Sequence, residues 1–354
     1  KYMLFRKKCG IDLGNDTIKI ADKKKKKIIC EKNMIAVRDK TNVIAIGNRA
    51  YNMYEKTPVC VEAASPMRDG TIADGENLGL ILTQFLKNFS GIFTKRPDLI
   101  ITVPMELSEI EMRAFYKVLS GLKVRKIALI EKGIADAVGI GIPVLTQTGG
   151  MVVNIGAATT GISVISDGKV ILGRQCTLGG DVMNEAIITM VRRKHNLAIG
   201  HHSAEKLRVE TGYLINGPVQ TRTIYGIHTV SGLPASAEIP SEDIREAITE
   251  TAGNIADVLL TSLQRTPPQL LDSIGMFAYG GGGFHCVHMT EHDLEIFRDR
   301  GLWAVTNPGS NAKLASGIAP LKQMRALGIH MAIGTDGPSS NNIHAFCVAG
   351  EKAP

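Results

Sequence analysis

Cys9-Gly10-Ile11-Asp12-Leu13-Gly14 lies near the start of the chain, and Met151-Val152-Val153-Asn154-Ile155-Gly156 repeats it 142 residues later. Each stretch is an apolar strand, then Asp or Asn, one further residue and Gly. Small polar residues follow, and then an alternating strand, with Ile18 and Ile20 in the first copy and Ile162 and Val164 in the second. A supersecondary unit repeated at this spacing predicts two lobes of similar fold facing each other.

Working outward, the spacing of Leu78, Leu80, Ile81, Phe85 and Leu86 predicts a helix over 75–90. Leu99 to Val103 reads as a buried strand ended by Pro104, and Ser108 with Glu111 is a capping box opening a helix to about Leu119. Lys126 to Ile130 is a strand, followed by a helix around Ile134–Val138. Strands alternating with helices indicate an α/β protein. Further helices are expected over 182–200, over 203–215 and from Ser241 towards Leu263. Pro267-Pro268 then breaks the chain, and Ser273 to Tyr279 reads as a strand leading into Gly280-Gly281-Gly282-Gly283. Near the amino end, Thr17–Ala21, the lysine run 23–27 and Ile28-Ile29-Cys30 read as a hairpin whose lysine turn faces solvent.

The glycine turns carry the candidate chemistry. Backbone N–H groups in a tight turn after a strand cradle phosphate, and Gly permits the close approach. The first turn is Asp12-Leu13-Gly14-Asn15-Asp16-Thr17 with Lys19 two residues on. The second is Asn154-Ile155-Gly156-Ala157-Ala158-Thr159-Thr160. Two such loops from two lobes would grip a triphosphate from both sides, with Asp12 holding Mg²⁺ through water. Gly280–Gly283 would form a third loop beside the nucleoside.

Composition bounds the partners. The 354 residues are 44% apolar, enough for a sizeable core and for about two units of roughly 100–200 residues. Residues 1–60 carry 15 basic and 6 acidic side chains, or +9, within a total of +7, so the remainder is near neutral. Aromatics are only 5%, which argues against a nucleic-acid binder with stacking aromatics. The six cysteines form no CxxC pair, as in a cytosolic chain with reduced thiols. No apolar run reaches the roughly 18 residues of a membrane span. The start, Lys1-Tyr2-Met3-Leu4-Phe5-Arg6-Lys7-Lys8, reads either as a remnant ahead of Met3 or as a small interfacial anchor.

To about Gly283 the chain resembles the MreB/Mbl family of bacterial actins, rod-shape-determining members of the actin and heat-shock ATPase superfamily. The resemblance rests on Gly10–Gly14, Arg68–Asp74, Val103-Pro104, Met151–Gly156, Leu178–Asp181, Arg192–Gly200, Val230–Pro234, Ser241–Ala247 and Thr266–Pro268. It implies a two-lobed actin-like ATPase fold. The first lobe would span 1–145 with an insert near 33–65, and the second 146–283 with an insert near 182–244. It also implies ATP with Mg²⁺ as ligands. Gly14, Asn15, Asp16, Thr17 and Lys19 would bind in the first loop, and Asn154, Gly156, Ala157, Ala158 and Thr159 in the second. Glu205, Lys206, Leu207 and Arg208 would lie beside adenosine, and Gly280, Gly281, Gly282 and Gly283 form the third loop. It further implies self-association into filaments at the cytoplasmic face of the membrane, working with the cell-wall elongation machinery to set rod shape.

Departures from the family bear on turnover. The family's D-x-G-G-G-T loop here carries Asn154, Ala157 and Ala158. Its catalytic carboxylate before a Pro aligns with Lys132, in Glu131-Lys132-Gly133. A lysine cannot position attacking water as a base. Asp12 and Glu131 remain the candidate catalytic carboxylates, and ATP binding with slow hydrolysis is expected. A nucleotide-binding scaffold without turnover is the neighbouring reading. In Ser90–Arg96, Ile92 and Phe93 either insert into the membrane beside Lys95 and Arg96 or pack inward.

After Gly283 the family pattern stops. Residues 284–354 hold five of the nine histidines and resemble the end of an amidohydrolase barrel, of the type that deaminates S-adenosylhomocysteine and methylthioadenosine. His285 and Asp336 would match two of its metal positions. The other ligands are missing, and a mononuclear site needs three or more. A fused sequence with a partial (β/α) barrel-like end is expected, with zinc-dependent deamination as the alternative function.

Overall fold

The computed structural model describes residues 8–22, 27–39, 41–90, 96–146, 149–215, 217–313 and 315–334. The opening residues 1–7, lysines 23–26, Ile92, Phe93 and Asp336 lie outside the described residues. Two compact units form, Lys1–Ile142 with Met151–Gln264, and Pro143–Gly150 with Arg265–Pro354. The first unit takes in residues 1–142 of the first expected lobe and 151–264 of the second. The main part of the second unit starts at Arg265, ahead of the change of pattern expected at Gly283.

The first lobe opens with β1 (Lys8–Leu13), β2 (Thr17–Asp22) and β3 (Lys27–Lys32), an antiparallel meander in which Asp12 faces Lys19 across the register. Its insert follows as β4 (Ile35–Arg38), β5 (Asn42–Ile46), the one-turn helix α1 (Asn48–Tyr51) and β6 (Val61–Ala64). The insert packs a small core of Ala36, Ala45, Ala50 and Val61. The tight hairpin β7 (Met67–Arg68) and β8 (Thr71–Ile72) turns through Asp69 and Gly70, both at positive φ. Then come α2 (Gly75–Ser90), β9 (Asp98–Val103), α3 (Glu109–Ser120), β10 (Lys126–Glu131) and α4 (Lys132–Gly139).

The sheet runs β10-β9-β1-β2-β3, with β9 and β10 parallel to β1. Alternation along β1, β2 and β9 sends Ile11, Leu13, Ile18, Ile20, Leu99 and Ile101 into one core with Leu78, Ile81 and Leu82 of α2 and Phe115 and Leu119 of α3. Each such side chain contributes about 1.5–3 kcal/mol on burial. The capping box of α3 forms as expected, Ser108 accepting from the Glu111 amide while Glu111 accepts from the Ser108 amide.

The second lobe repeats the opening. β11 (Gly150–Ile155), β12 (Thr160–Ser166) and β13 (Lys169–Cys176) form a three-stranded sheet, followed by α5 (Gly180–His195). The helix expected to reach residue 200 stops at His195. Asn196 takes a left-handed conformation (φ 51°), a common helix stop, and β14 (Leu197–Ala198) begins. The lobe's insert continues as α6 (His201–Thr211), β15 (Thr221–His228) and β16 (Pro234–Pro240), and α7 (Ser241–Gln264) follows. Ile187, Met190, Leu207, Ile224, Ile239 and Ile244 form its core.

In the second unit α8 (Pro268–Ser273) starts on a proline at its first turn. The strand expected over Ser273–Tyr279 is not formed. Gly275 at φ +80° ends α8, and Met276 N–H bonds Leu271 C=O, so the apolar run coils through turns. The strand comes later, as β17 (Gly282–Phe284), after Gly280 and Gly281 at positive φ. Next are α9 (Glu291–Asp299), β18 (Trp303–Thr306), α10 (Pro308–Lys313), α11 (Leu321–Ala326) and β19 (His330–Ile333). β17, β18 and β19 are parallel. Trp303 stacks on His330, ring centroids 5.1 Å apart. Among the described residues no helix is long and apolar enough to cross a membrane.

Candidate functional site

The duplicated turns close in the same way. Gly14 N–H donates to Thr17 C=O at 3.1 Å, and Gly156 N–H donates to Thr159 C=O at 2.9 Å. A Cβ on Gly14 would lie 2.8 Å from the Thr17 carbonyl oxygen, and one on Gly156 3.0 Å from that of Thr159, so both tight turns favour glycine. Asn33 donates to Gly14 C=O, and Asn15 accepts from Gly70 N–H, which fastens the first turn to its neighbours. The second turn is backed by the start of α5, where Gly180 N–H reaches Gly156 C=O and Asp181 N–H reaches Ala157 C=O.

Both turns line one cleft of about 280 Å³. Asp12, Gly14, Asn15, Asp16, Thr17 and Lys19 border it from the first lobe, and Asn154, Gly156, Ala157, Ala158 and Thr159 from the second. Lys132, Gly133 and Asp136 of α4 also line it. Gly133 is needed there, because a Cβ would collide with the Ser163 side chain on β12. All these residues belong to the first compact unit.

Five charged groups line the cleft; Asp16 pairs with Lys32, and the other four lie together. Asp12 Oδ2 receives Lys19 Nζ at 2.9 Å, and Asp12 Oδ1 faces Lys132 Nζ at 3.4 Å and accepts from Thr102 Oγ1 at 3.1 Å. Burial works against Asp12 ionisation, yet Lys132, Lys19 and Thr102 hold its carboxyl below the ordinary range. Burial also works against the Lys19 ammonium, but Asp12 holds it above its usual value. Asn154 Nδ2 donates to Asp136 Oδ2 at 2.5 Å. Burial pushes the Asp136 carboxyl up, with Asn154 and Lys132 offsetting part of the rise.

Asp136 was missed in the sequence, where it reads as one polar residue in a short amphipathic helix. Its position one helical turn after Lys132 is the signal that places both on one face. Glu131, expected as a catalytic carboxylate, is exposed and does not line the cleft. It is the last residue of β10, and the inward position falls to Lys132. The donor set does not fit a cation held at Asp12, because ammonium groups already meet both carboxylate oxygens. Among the described residues no group of three His, Cys, Asp or Glu side chains could hold a metal ion.

The four residues expected beside adenosine divide. Leu207 is buried in the lobe core, Lys206 is exposed, and Arg208 donates to Asn184 Oδ1 at 2.8 Å. Glu205 faces an adjoining cavity of about 340 Å³ that shares Asn15, Asp16 and Ala158 with the cleft. It accepts from Tyr51 Oη at 2.5 Å and meets Lys32 Nζ at 3.4 Å. Lys32 also pairs with Asp16 at 2.8 Å and sits 4.1 Å from the Tyr51 ring centroid. His202 Nδ1 lies 2.9 Å from Tyr51 Oη, and Glu55 accepts from His201 N–H at 2.7 Å. These contacts join the two inserts. Burial, then Glu205, raises the Tyr51 hydroxyl pKa, while Asp181 raises His201 against the effect of burial.

Gly280–Gly283 lie in the second unit, as does His285. The His285 ring contacts Asn311 Oδ1 at 2.7 Å and Asn307 Nδ2 at 3.3 Å, an amide environment without a metal-ligand set among the described residues.

Comparison with known proteins places this architecture. Residues 6–289 match the family described as MreB/Mbl protein. The cell shape-determining protein MreB of Escherichia coli K12 is 33% identical over 290 residues, covering 79% of this chain and 84% of that protein. The cell shape-determining protein Mbl of Bacillus subtilis 168 is 30% identical, covering 79% and 86%. Among solved structures, MreB5 of Spiroplasma citri bound to AMPPNP superposes with a TM-score of 0.72 at 23% identity, over 98% of each chain. A MamK double helical filament gives a TM-score of 0.62 at 16% identity, over 99% of this chain and 100% of that one. The fold is actin-like, and the chain belongs to the MreB/Mbl family of cell shape-determining proteins.

Proposed function

We propose that the protein binds ATP in the cleft between its two duplicated turns and assembles with copies of itself into filaments. The observation that carries this is the pair of matching turns, Gly14–Thr17 and Gly156–Thr159, facing one cleft with Lys19 and Lys132. Backbone amides and two ammonium groups converge there as a polyphosphate requires. Support also comes from the AMPPNP held by the Spiroplasma relative and from the MamK filament. The expected Mg²⁺ is not needed at Asp12 in this reading, because Lys19 and Lys132 meet its two carboxylate oxygens.

Hydrolysis is proposed to be slow or absent. Lys132 occupies the inward position where a carboxylate would position water, and Asp136 is tied to Asn154. Sedimentation with ATP, run beside phosphate release, tests both parts. Filaments with phosphate release far below that of the Escherichia coli protein are expected. Absence of ATP-dependent pelleting would remove the filament reading. Release matching that protein's would remove the slow-turnover reading.

Membrane attachment on the cytoplasmic face and guidance of cell-wall synthesis extend the proposal. The +9 carried by residues 1–60 supports an anionic surface as partner, at about 1 kcal/mol per basic residue near the headgroups. Ile92 and Phe93 are the proposed inserting pair, and Ser at both should release the protein from anionic vesicles. An amidohydrolase-like origin of residues 284–354 is not carried into this reading, because the actin-like superposition runs through 98% of the chain and the family match extends to residue 289.

A further inference from the structure

The phosphate cleft contains its own cations. Lys19 and Lys132 reach Asp12 from two directions, one on each carboxylate oxygen, at 2.9 and 3.4 Å. Thr102 occupies Oδ1 as well. The second carboxylate, Asp136, is held by the Asn154 amide, whose donor side faces it. Asp12 and Asp136 therefore balance the two ammonium groups, while the third lining carboxylate, Asp16, is paired with Lys32. A divalent cation entering beside Asp12 would gain no net negative field and would meet two like charges within a few ångströms. A polyphosphate faces the opposite situation. It can share both ammonium groups with Asp12, together with the turn amides, and Lys132 stands at the first turn of α4, where helix N–H groups also favour an anion.

We propose that Lys19 and Lys132 serve this cleft in place of a divalent cation, so that the protein binds nucleoside polyphosphates in metal-free form. The inference rests on the nucleotide reading above and specifies the chemical form of its ligand. Lys132 is the specificity-determining group, because it lies on α4, opposite Lys19 across Asp12. Its ion pair is partly exposed, 29% for Lys132 and 28% for Asp12, so the ammonium can contact a phosphate beside the carboxylate without refolding the helix.

Titration of the full-length chain with ATP, by calorimetry, in excess Mg²⁺ and separately in EDTA tests the proposal. Dissociation constants within about threefold of each other are expected, since each charge-assisted contact is supplied by the protein. Lys132→Ala should weaken binding in EDTA by about tenfold, the scale of one charged hydrogen bond. Lys132→Arg should retain it, and Lys132→Glu should bind only when Mg²⁺ is present. Wild-type binding tighter by tenfold or more in Mg²⁺ would overturn the proposal, about 1.4 kcal/mol of cation dependence that the lysines were meant to remove. So would an unchanged EDTA affinity in a folded Lys132→Ala protein. Absence of binding in both buffers would overturn the nucleotide reading with it, which separates the two failures. The wild-type comparison needs no variant and stands if a substitution impairs folding.

Discussion

At Asn154 a single amide decides how the cleft distributes its charge. Its Nδ2 donates to Asp136 at 2.5 Å, so the second lobe contributes a donor where the first contributes the carboxylate of Asp12. Asn154→Asp would set two carboxylates against each other, with one forced to keep a proton. A loss of about 1–3 kcal/mol is expected at neutral pH, on the scale of an unmade buried polar contact. Denaturant midpoints measured at neutral and acid pH should show the loss shrinking as pH falls, because protonation restores a donor. Asn154→Asp combined with Asp136→Asn exchanges the two roles and should recover most of the stability. Asp12 behaves with the opposite sign. Its folded carboxyl lies below the unfolded value of 3.8. Its contribution is therefore fully present above that value and is lost as pH falls through the lower folded one. Asp12→Asn should flatten this acid limb in a pH series of urea midpoints, whereas an unchanged limb would show that the ion pairs contribute nothing.

Among the elements, α4 is the most constrained. Gly133 sits where any side chain would meet Ser163, so Gly133→Ala should destabilise by about 1–3 kcal/mol despite the better helix propensity of alanine. Pairing it with Ser163→Gly should return the thermal midpoint towards wild type if the collision is the cause. Ser108→Ala removes one half of the capping box on α3 and should cost about 1 kcal/mol.

The same elements show what could be read from the chain alone. β1, β2, β9, β10, α2 and α3 were legible because each has one buried face whose period survives in the residue types. The repeated Asp/Asn-x-Gly turns were legible because their backbone geometry tolerates few alternatives to glycine. Ser273–Tyr279 forms no strand because a short apolar run interrupted by Gly275 carries no period of its own, and that glycine at positive φ turns it into coils. Asp136 and the outward position of Glu131 were missed for a different reason. Which of two adjacent residues faces a cleft depends on where β10 ends and α4 begins, and composition does not mark that boundary.

Across the whole first unit, the contact most open to testing is the one that joins the two inserts. Tyr51 and Lys32 hold Glu205 from across the cavity that adjoins the phosphate cleft. If this cluster restrains the lobes around a nucleotide, Tyr51→Phe should speed nucleotide release by roughly fivefold, in line with a lost hydrogen bond of about 1 kcal/mol. Stopped-flow displacement of a fluorescent ATP analogue measures that rate, and an unchanged rate would confine Tyr51 to a local packing role.

Trp303 is the chain's only tryptophan, and it lies in the second unit, stacked on His330 and half exposed. The protein thus carries a built-in optical label confined to one of its two bodies. Tryptophan emission follows the melting of the second unit alone, while helical circular dichroism is weighted towards the long helices of the first. Coincident midpoints would mean that the two bodies melt as one cooperative block. Separated midpoints would assign each transition to its body without any added dye.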